Sequence, residues 1–224
     1  MDQWPKWPSH LFLIGKSVKP APESYEPGSR KDTTSYALNL VPTWGMPGSD
    51  NHYSTDIYSG SRYYLIPTGR LSASSNLEVT NYLQKMTEIE DNQDPTSLYS
   101  IANKEWQKNV LHFGGGSDSA EQAYINSWLN IYKNIVEDTL YGGHVYTFNK
   151  DPFSNDINNS DFQFVQSKLE EGVSIITFFG HSGSSIGFSQ NIDAPENWNN
   201  SGKYPLVIGP VSYTHLTLPT RIFV

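Results

Sequence analysis

VSIITFFGHSGSS, residues 173–185, is the stretch on which the fold reading turns. Val173 to Phe179 is an almost unbroken apolar and β-branched run, which predicts a strand covered on both faces, as in a parallel sheet flanked by helices. Gly180, Ser182 and Gly183 interrupt that run and leave His181 at its carboxyl end. Ligands and catalytic groups gather at the carboxyl ends of strands in open α/β sheets. His181 is therefore the first candidate functional residue, with a satisfied structural histidine as the alternative reading.

Upstream of this strand the signals alternate between strand and helix, the pattern of βα units in a parallel sheet. Ser160 with Gln163 caps a helix that carries Phe162, Val165 and Leu169 and ends at Gly172. Before it comes GHVYTF (143–148), read as a strand. Before that, Tyr124, Ile125, Trp128, Leu129, Tyr132, Ile135 and Val136 fall at helical spacing, with Gly142 as the stop. NVLHF (109–113) is the strand feeding that helix through GGGSDSAE (114–121). Asp118 and Glu121 suit the first helical turn, where carboxylates are favoured. Three glycines between a strand and a helix suggest a phosphate cradle. Neither G-x-G-x-x-G nor a P-loop Gly-Lys-Ser/Thr is present, however, so a nucleotide site gains little support.

Nearer the amino terminus, residues 91–107 with Pro95 read as a connection, and Ser75 with Glu78 as a capping box. The box opens a helix with Val79, Leu83, Met86 and Ile89 on one face. RYYLIPTGRLSAS (62–74), ALNLVPTWG (37–45) and LFLIGK (11–16) read as strands, the last of them buried. Asp50, in the turn MPGSDN (46–51), is either a turn cap or a pocket carboxylate. Arg70 is either an ion-pair partner or a substrate contact. Downstream of His181, residues 182–204 form a long loop beside a strand end, with Phe188 and Trp198 as anchors. PLVIG (205–209) then starts another buried strand.

Composition narrows the function classes. A chain of 224 residues can bury a real core, no convincing linker divides it, and one sheet-based unit is expected. A formal net charge of -8 and the lack of any Lys/Arg stripe argue against a nucleic-acid surface. No run of about 18 apolar residues offers a transmembrane segment. MDQWPKWPSH has neither the basic start nor the apolar core of a signal peptide. With Cys at 0, the chain as given holds no disulfide, no thiolate metal site and no cysteine nucleophile. VSYTHLTLPT (211–220) reads as the translation of a transposase-adapter oligonucleotide used in sequencing-library preparation. Residues 210–224 are accordingly expected to be non-native, His215 is left out of any site, and residues 1–209 are expected to form one partial domain.

Taken in order, LVPTWGMPGSDN (40–51), IPTGRLSASSNLEVTNYLQK (66–85), the W-x-K-x-V-L-H-F-G-G-G of 106–116, ITFFGHSGSS (176–185) and YPLVIG (204–209) carry a resemblance. The chain resembles the gingipain-type cysteine peptidase family, and within it the type IX secretion sortases and their relatives. That resemblance implies an α/β, caspase/gingipain-like three-layer fold, with a mostly parallel sheet flanked by helices, here incomplete at both ends. It implies a cysteine endopeptidase that processes exported proteins, with His181 as catalytic histidine and the backbone N–H of Ser182 or Gly183 as oxyanion donor. Ser182 stands where the family usually has Gly. The nucleophilic Cys is expected at the end of the next strand, displaced by the adapter-like tail, so this chain is expected to be inactive. Neighbouring parallel strands lie about 5 Å apart, so two strand ends can hold an imidazole and a thiol near one scissile bond.

The remaining implications are coarser. GGG occupies the region where some members carry a Glu, which leaves Asp118 and Glu121 as candidates for the acid that orients His181. Asp50 and Arg70 are candidates for the substrate pocket. No cofactor is implied for catalysis, and the Asp/Asn-rich residues 151–161 are a candidate source of oxygen ligands for structural calcium. Protein or peptide substrates and other secretion components are the implied partners. Export to the periplasm, outer membrane or cell surface is the implied location. The alternative is a peptidase-like domain that has lost catalysis and serves a secretion apparatus as scaffold or binding module.

Overall fold

A computed structural model describes residues 6, 8–18, 33–45, 48–55, 65–94, 96, 100–149, 159–180 and 197–209. These fall into two compact units that divide between Asn81 and Tyr82. The first contains β1 (Leu11–Ile14), α1 (Thr33–Tyr36), β2 (Thr68–Leu71) and the start of α2 (Asn76–Gln93). The second contains the rest of α2, then α3 (Ile101–Lys104), β3 (Asn109–Gly115), α4 (Ser119–Val136), β4 (His144–Asn149), α5 (Asn159–Glu171), β5 (Ile175–Gly180) and β6 (Leu206–Ile208). The single sheet expected from the sequence is thus two separate sheets.

In the first unit β1 and β2 form a parallel two-stranded sheet. The expected burial of β1 is not met: it alternates, with Phe12 and Ile14 about half exposed, because two strands cannot cover both of their faces. Nor is ALNLVPTWG a strand. A short helical turn, α1, precedes it, and only Trp44 joins a bridge, to Ser49. Pro42 has no N–H to give a ladder. Side chains take over much of the pairing with residues 17 and 18: Thr43 N–H donates to Ser17 Oγ (3.0 Å) and Val18 N–H to Asn39 Oδ1 (3.3 Å). The start of α2 is capped as its sequence suggests but over two serines. Glu78 N–H donates to Ser75 Oγ (3.3 Å), while the Glu78 carboxylate accepts from Ser74 N–H (2.5 Å), which pulls its pKa down. Val79, Met86 and Ile89 are half-buried and Leu83 is exposed, so the predicted stripe is only partly covered.

The second unit carries a four-stranded, all-parallel sheet in the order β4-β3-β5-β6. From β3 the chain crosses outward to β4 through α4, then returns through α5 to β5 on the other side of β3. Right-handed crossovers in opposite directions place those helices on opposite faces. The α5 face holds the core: Leu111, Phe113, Phe148, Val165, Leu169, Val173, Ile176 and Phe178, with Tyr146, Trp198 and Val207 packed against it. Trp198 thus anchors its segment as expected, whereas Phe188 lies outside the described residues. Beneath α4, Ile125 and Leu129 are buried; Tyr124, Trp128, Tyr132 and Ile135, which share the predicted helical spacing, are exposed. Seven large apolar residues span too much of the helix circumference for one sheet to cover. The helix ends at Val136, and Gly142 (φ 63°) serves the turn that follows, where Gly143 N–H donates to Val136 O.

Three further differences bear on the site. β5 begins at Ile175 rather than Val173 and buries alternate residues, Ile176, Phe178 and Gly180, more completely than their neighbours. β6 is not buried: as the edge strand it leaves Leu206 and Ile208 exposed. Its approach is tied down by the carboxyl-terminal half of α2, where Tyr204 OH donates to Glu88 (2.5 Å) and Asn92 Nδ2 to Gly202 O (2.9 Å). The connection at 91–107 also contains α3, leading into a 3₁₀ turn at Glu105–Lys108.

Candidate active site at the carboxyl ends of the strands

The chain leaves β3 for one side of the sheet and later resumes on the other, so the topological switch point lies between β3 and β5. A crevice outside the carboxyl ends of these two strands is where an open α/β sheet accepts ligands. Register places Gly115 opposite Gly180 there, and Gly114 between Asn149 and Phe179.

Packing dictates the glycines. A Cβ on Gly180 would stand 2.5 Å from Gly115 O, one on Gly116 2.5 Å from Gln122 N, and one on Gly114 2.6 Å from Asn149 Oδ1. At Gly180 and Gly116 the neighbour is backbone and no side chain fits; at Gly114 it is the amide of Asn149, which a larger residue would displace from Gln122. The result is a close-packed, buried strand end, in which β3, β5 and the start of α4 approach without intervening side chains.

A buried carboxamide fixes this strand end. Gln122 Oε1 accepts from Gly116 N–H (2.9 Å), and Gln122 Nε2 donates to Asn126 Oδ1 (3.0 Å) and Asn149 Oδ1 (3.3 Å). One side chain thereby joins the ends of β3 and β4 to α4. The sequence reading missed it, although a polar residue three before Ile125 and seven before Leu129 lies on the buried face of the helix.

Three more donors of the glycine turn are occupied. Asp118 is the N-cap of α4, accepting from Ala120 N–H (2.8 Å) and Glu121 N–H (2.9 Å), and Glu121 accepts from Ser117 N–H (2.7 Å). Both acids therefore serve the helix start, and the Gly116, Ser117, Ala120 and Glu121 amides are already bonded. The nucleotide reading loses its support.

His112, also unremarked in the sequence, lies within β3 in register with Thr147 and Thr177. It is 2% exposed. Burial first, and the Lys133 ammonium second, push its pKa down to about 4 against the opposing pull of Glu137. It is therefore neutral at physiological pH. Among the described residues, His112 Nδ1 and Thr147 Oγ1 are buried polar atoms without a hydrogen-bond partner.

His181, Ser182 and Gly183 lie outside the described residues; β5 ends at Gly180, one residue before the histidine. The calcium candidates from Asp151 fall outside as well, except for Asp161 and the backbone of 159–160 at the start of α5. Among the described residues no group of three His, Asp or Glu could hold a metal ion. Asp50 and Arg70 are brought together in the first unit. Arg70 Nε and Nη2 grip the two carboxylate oxygens of Asp50 at 2.7 and 2.6 Å, and Nη1 donates to Val41 O (2.8 Å) and Gly15 O (2.5 Å). This bidentate pair ties the turn to β1 and β2.

The family model for Peptidase family C25 matches residues 1–211. The chain belongs to this family. Its members are cysteine peptidases of the gingipain type, and the mixed α/β architecture with mostly parallel strands flanked by helices agrees with their caspase-like fold. A peptidase of this family binds protein or peptide substrates. No curated protein and no solved structure matches the chain. No helix among the described residues is long and apolar enough to cross a membrane.

Proposed function

We propose that this chain represents a gingipain-like cysteine endopeptidase that acts as a sortase-like processor of exported proteins, with His181 as its proton-transfer group. The observation that supports this best is the pairing of β5 with β6. They are parallel neighbours, Ile175 opposite Leu206 and Thr177 opposite Ile208, and β5 terminates directly before the histidine. Continued by four residues, this register sets position 212 level with position 181, so a cysteine there would stand one strand spacing, about 5 Å, from the histidine. The thiolate would attack the scissile carbonyl while the imidazole takes the thiol proton and returns one to the leaving amine. The N–H of Ser182 or Gly183 would meet the developing oxyanion. Asp118 or Glu121, at the start of α4, would orient the imidazole.

The 224 residues contain no cysteine, so this chain is proposed to be inactive as it stands. The same fact favours a second reading, an exported scaffold or binding module that has lost catalysis. Expression from the complete coding sequence separates the two. The peptidase reading expects a cysteine within a few residues of Gly209, alkylated by iodoacetamide with parallel loss of cleavage. A complete protein without a cysteine there leaves the scaffold reading.

A further inference from the structure

We propose that the outer face of α4 pairs two copies of this chain about a twofold axis. One apolar stripe, through Ile125 and Leu129, is buried beneath the helix. A second stripe faces away: Tyr124, Trp128, Ile131 and Ile135 are 60, 38, 47 and 64% exposed. Their 4-3-4 spacing is that of a coiled-coil seam. Tyr132, Leu140 and Tyr141, themselves 43, 98 and 42% exposed, widen it. At about 200 Å² for each large side chain, the open area is on the order of 800 Å², the share one partner contributes to a standard interface. A patch of this size on a soluble chain marks an interaction site.

The patch is complementary to itself. Laid antiparallel about an axis midway between Trp128 and Ile131, position 124 meets position 135 and position 128 meets position 131. Each aromatic ring then faces an isoleucine, the large-against-small order that lets two ridges interdigitate. Ile131, Asn134, Ile135, Asp138, Leu140 and Tyr141 line a depression of about 560 Å³ at the carboxyl end of α4, on the side where the second copy's Tyr124 ring would arrive. The ridge is set in advance, with ring centroids 6.2 Å apart for Tyr124 and Trp128 and 6.4 Å for Trp128 and Tyr132. None of the seven side chains is charged, and Asp138 is the one carboxylate lining the depression. Antiparallel helix dipoles favour the same arrangement.

Sedimentation velocity of the full 224-residue chain, from micromolar to submillimolar concentration, tests this. The expected result is a reversible monomer–dimer equilibrium that Trp128→Glu weakens at least about 100-fold, a central hot-spot effect. Tyr124→Lys should weaken it too, at a position too exposed to disturb the core. Because 124 meets 135 across the axis, adding Ile135→Glu to Tyr124→Lys should restore association above either single variant. A monomer at every concentration overturns the proposal. So does a dimer that is indifferent to both single variants while their circular dichroism stays native.

Discussion

The two faces of the four-stranded sheet are built differently, and the difference separates what holds the fold from what shapes its strand ends. Against α5 lies a contiguous apolar cluster centred on Phe113 and Phe178, each 1% exposed. Against α4 the same strands present His112, Thr147 and the Gln122 network among the apolar contacts of Ile125 and Leu129. Apolar burial is non-directional and stabilises wherever it occurs. Buried polar groups need particular partners and therefore specify position.

The largest effect is expected on the α5 face. Phe178→Ala removes a fully buried ring and should cost about 3–5 kcal/mol in urea unfolding. A loss below about 1 kcal/mol would mean that the core lies elsewhere.

A smaller, pH-dependent effect is expected on the α4 face. His112 binds its proton less readily folded than unfolded, with a pKa of about 4 against 6.5. Its contribution is therefore fully present above the unfolded value and is lost as pH falls from 6.5 towards 4, on the order of 3 kcal/mol in all. The lowered carboxyl pKa of Glu78 acts in the same direction, so the difference between variants is the informative quantity. His112→Leu should flatten the wild-type acid slope in that window. An unchanged slope would place the titrating group somewhere other than His112.

Much of this architecture was legible in the sequence. Apolar runs ending in glycine, alternating with capped helices, gave the α/β class and the strands later found as β3, β4 and β5. The capping roles of Asp118 and Glu121 followed from their place before a helix. What escaped depended on tertiary context. Burial in β1 and β6 is decided by how many neighbours each strand has, which an apolar run does not encode. ALNLVPTWG looked like a strand because its apolar content hides Pro42 and the side-chain hydrogen bonds made by Ser17 and Asn39. On α4 helical spacing alone does not say which of its seven apolar residues the sheet covers, and only Ile125 and Leu129 of them are buried. At the candidate site, the chain position of His181 came from the sequence, while the close-packed glycines and the Gln122 clamp depend on how β3, β4, β5 and α4 meet.

The measurement that tests the central claim most directly is cleavage of an extended peptide by the protein from the complete coding sequence, with and without His181→Ala. A histidine at the end of β5 acting in proton transfer predicts a fall in kcat/KM of about 10²–10⁴-fold, with the thermal midpoint unchanged. Cleavage that survives the substitution at full rate would contradict it and return His181 to the structural role with which its reading began.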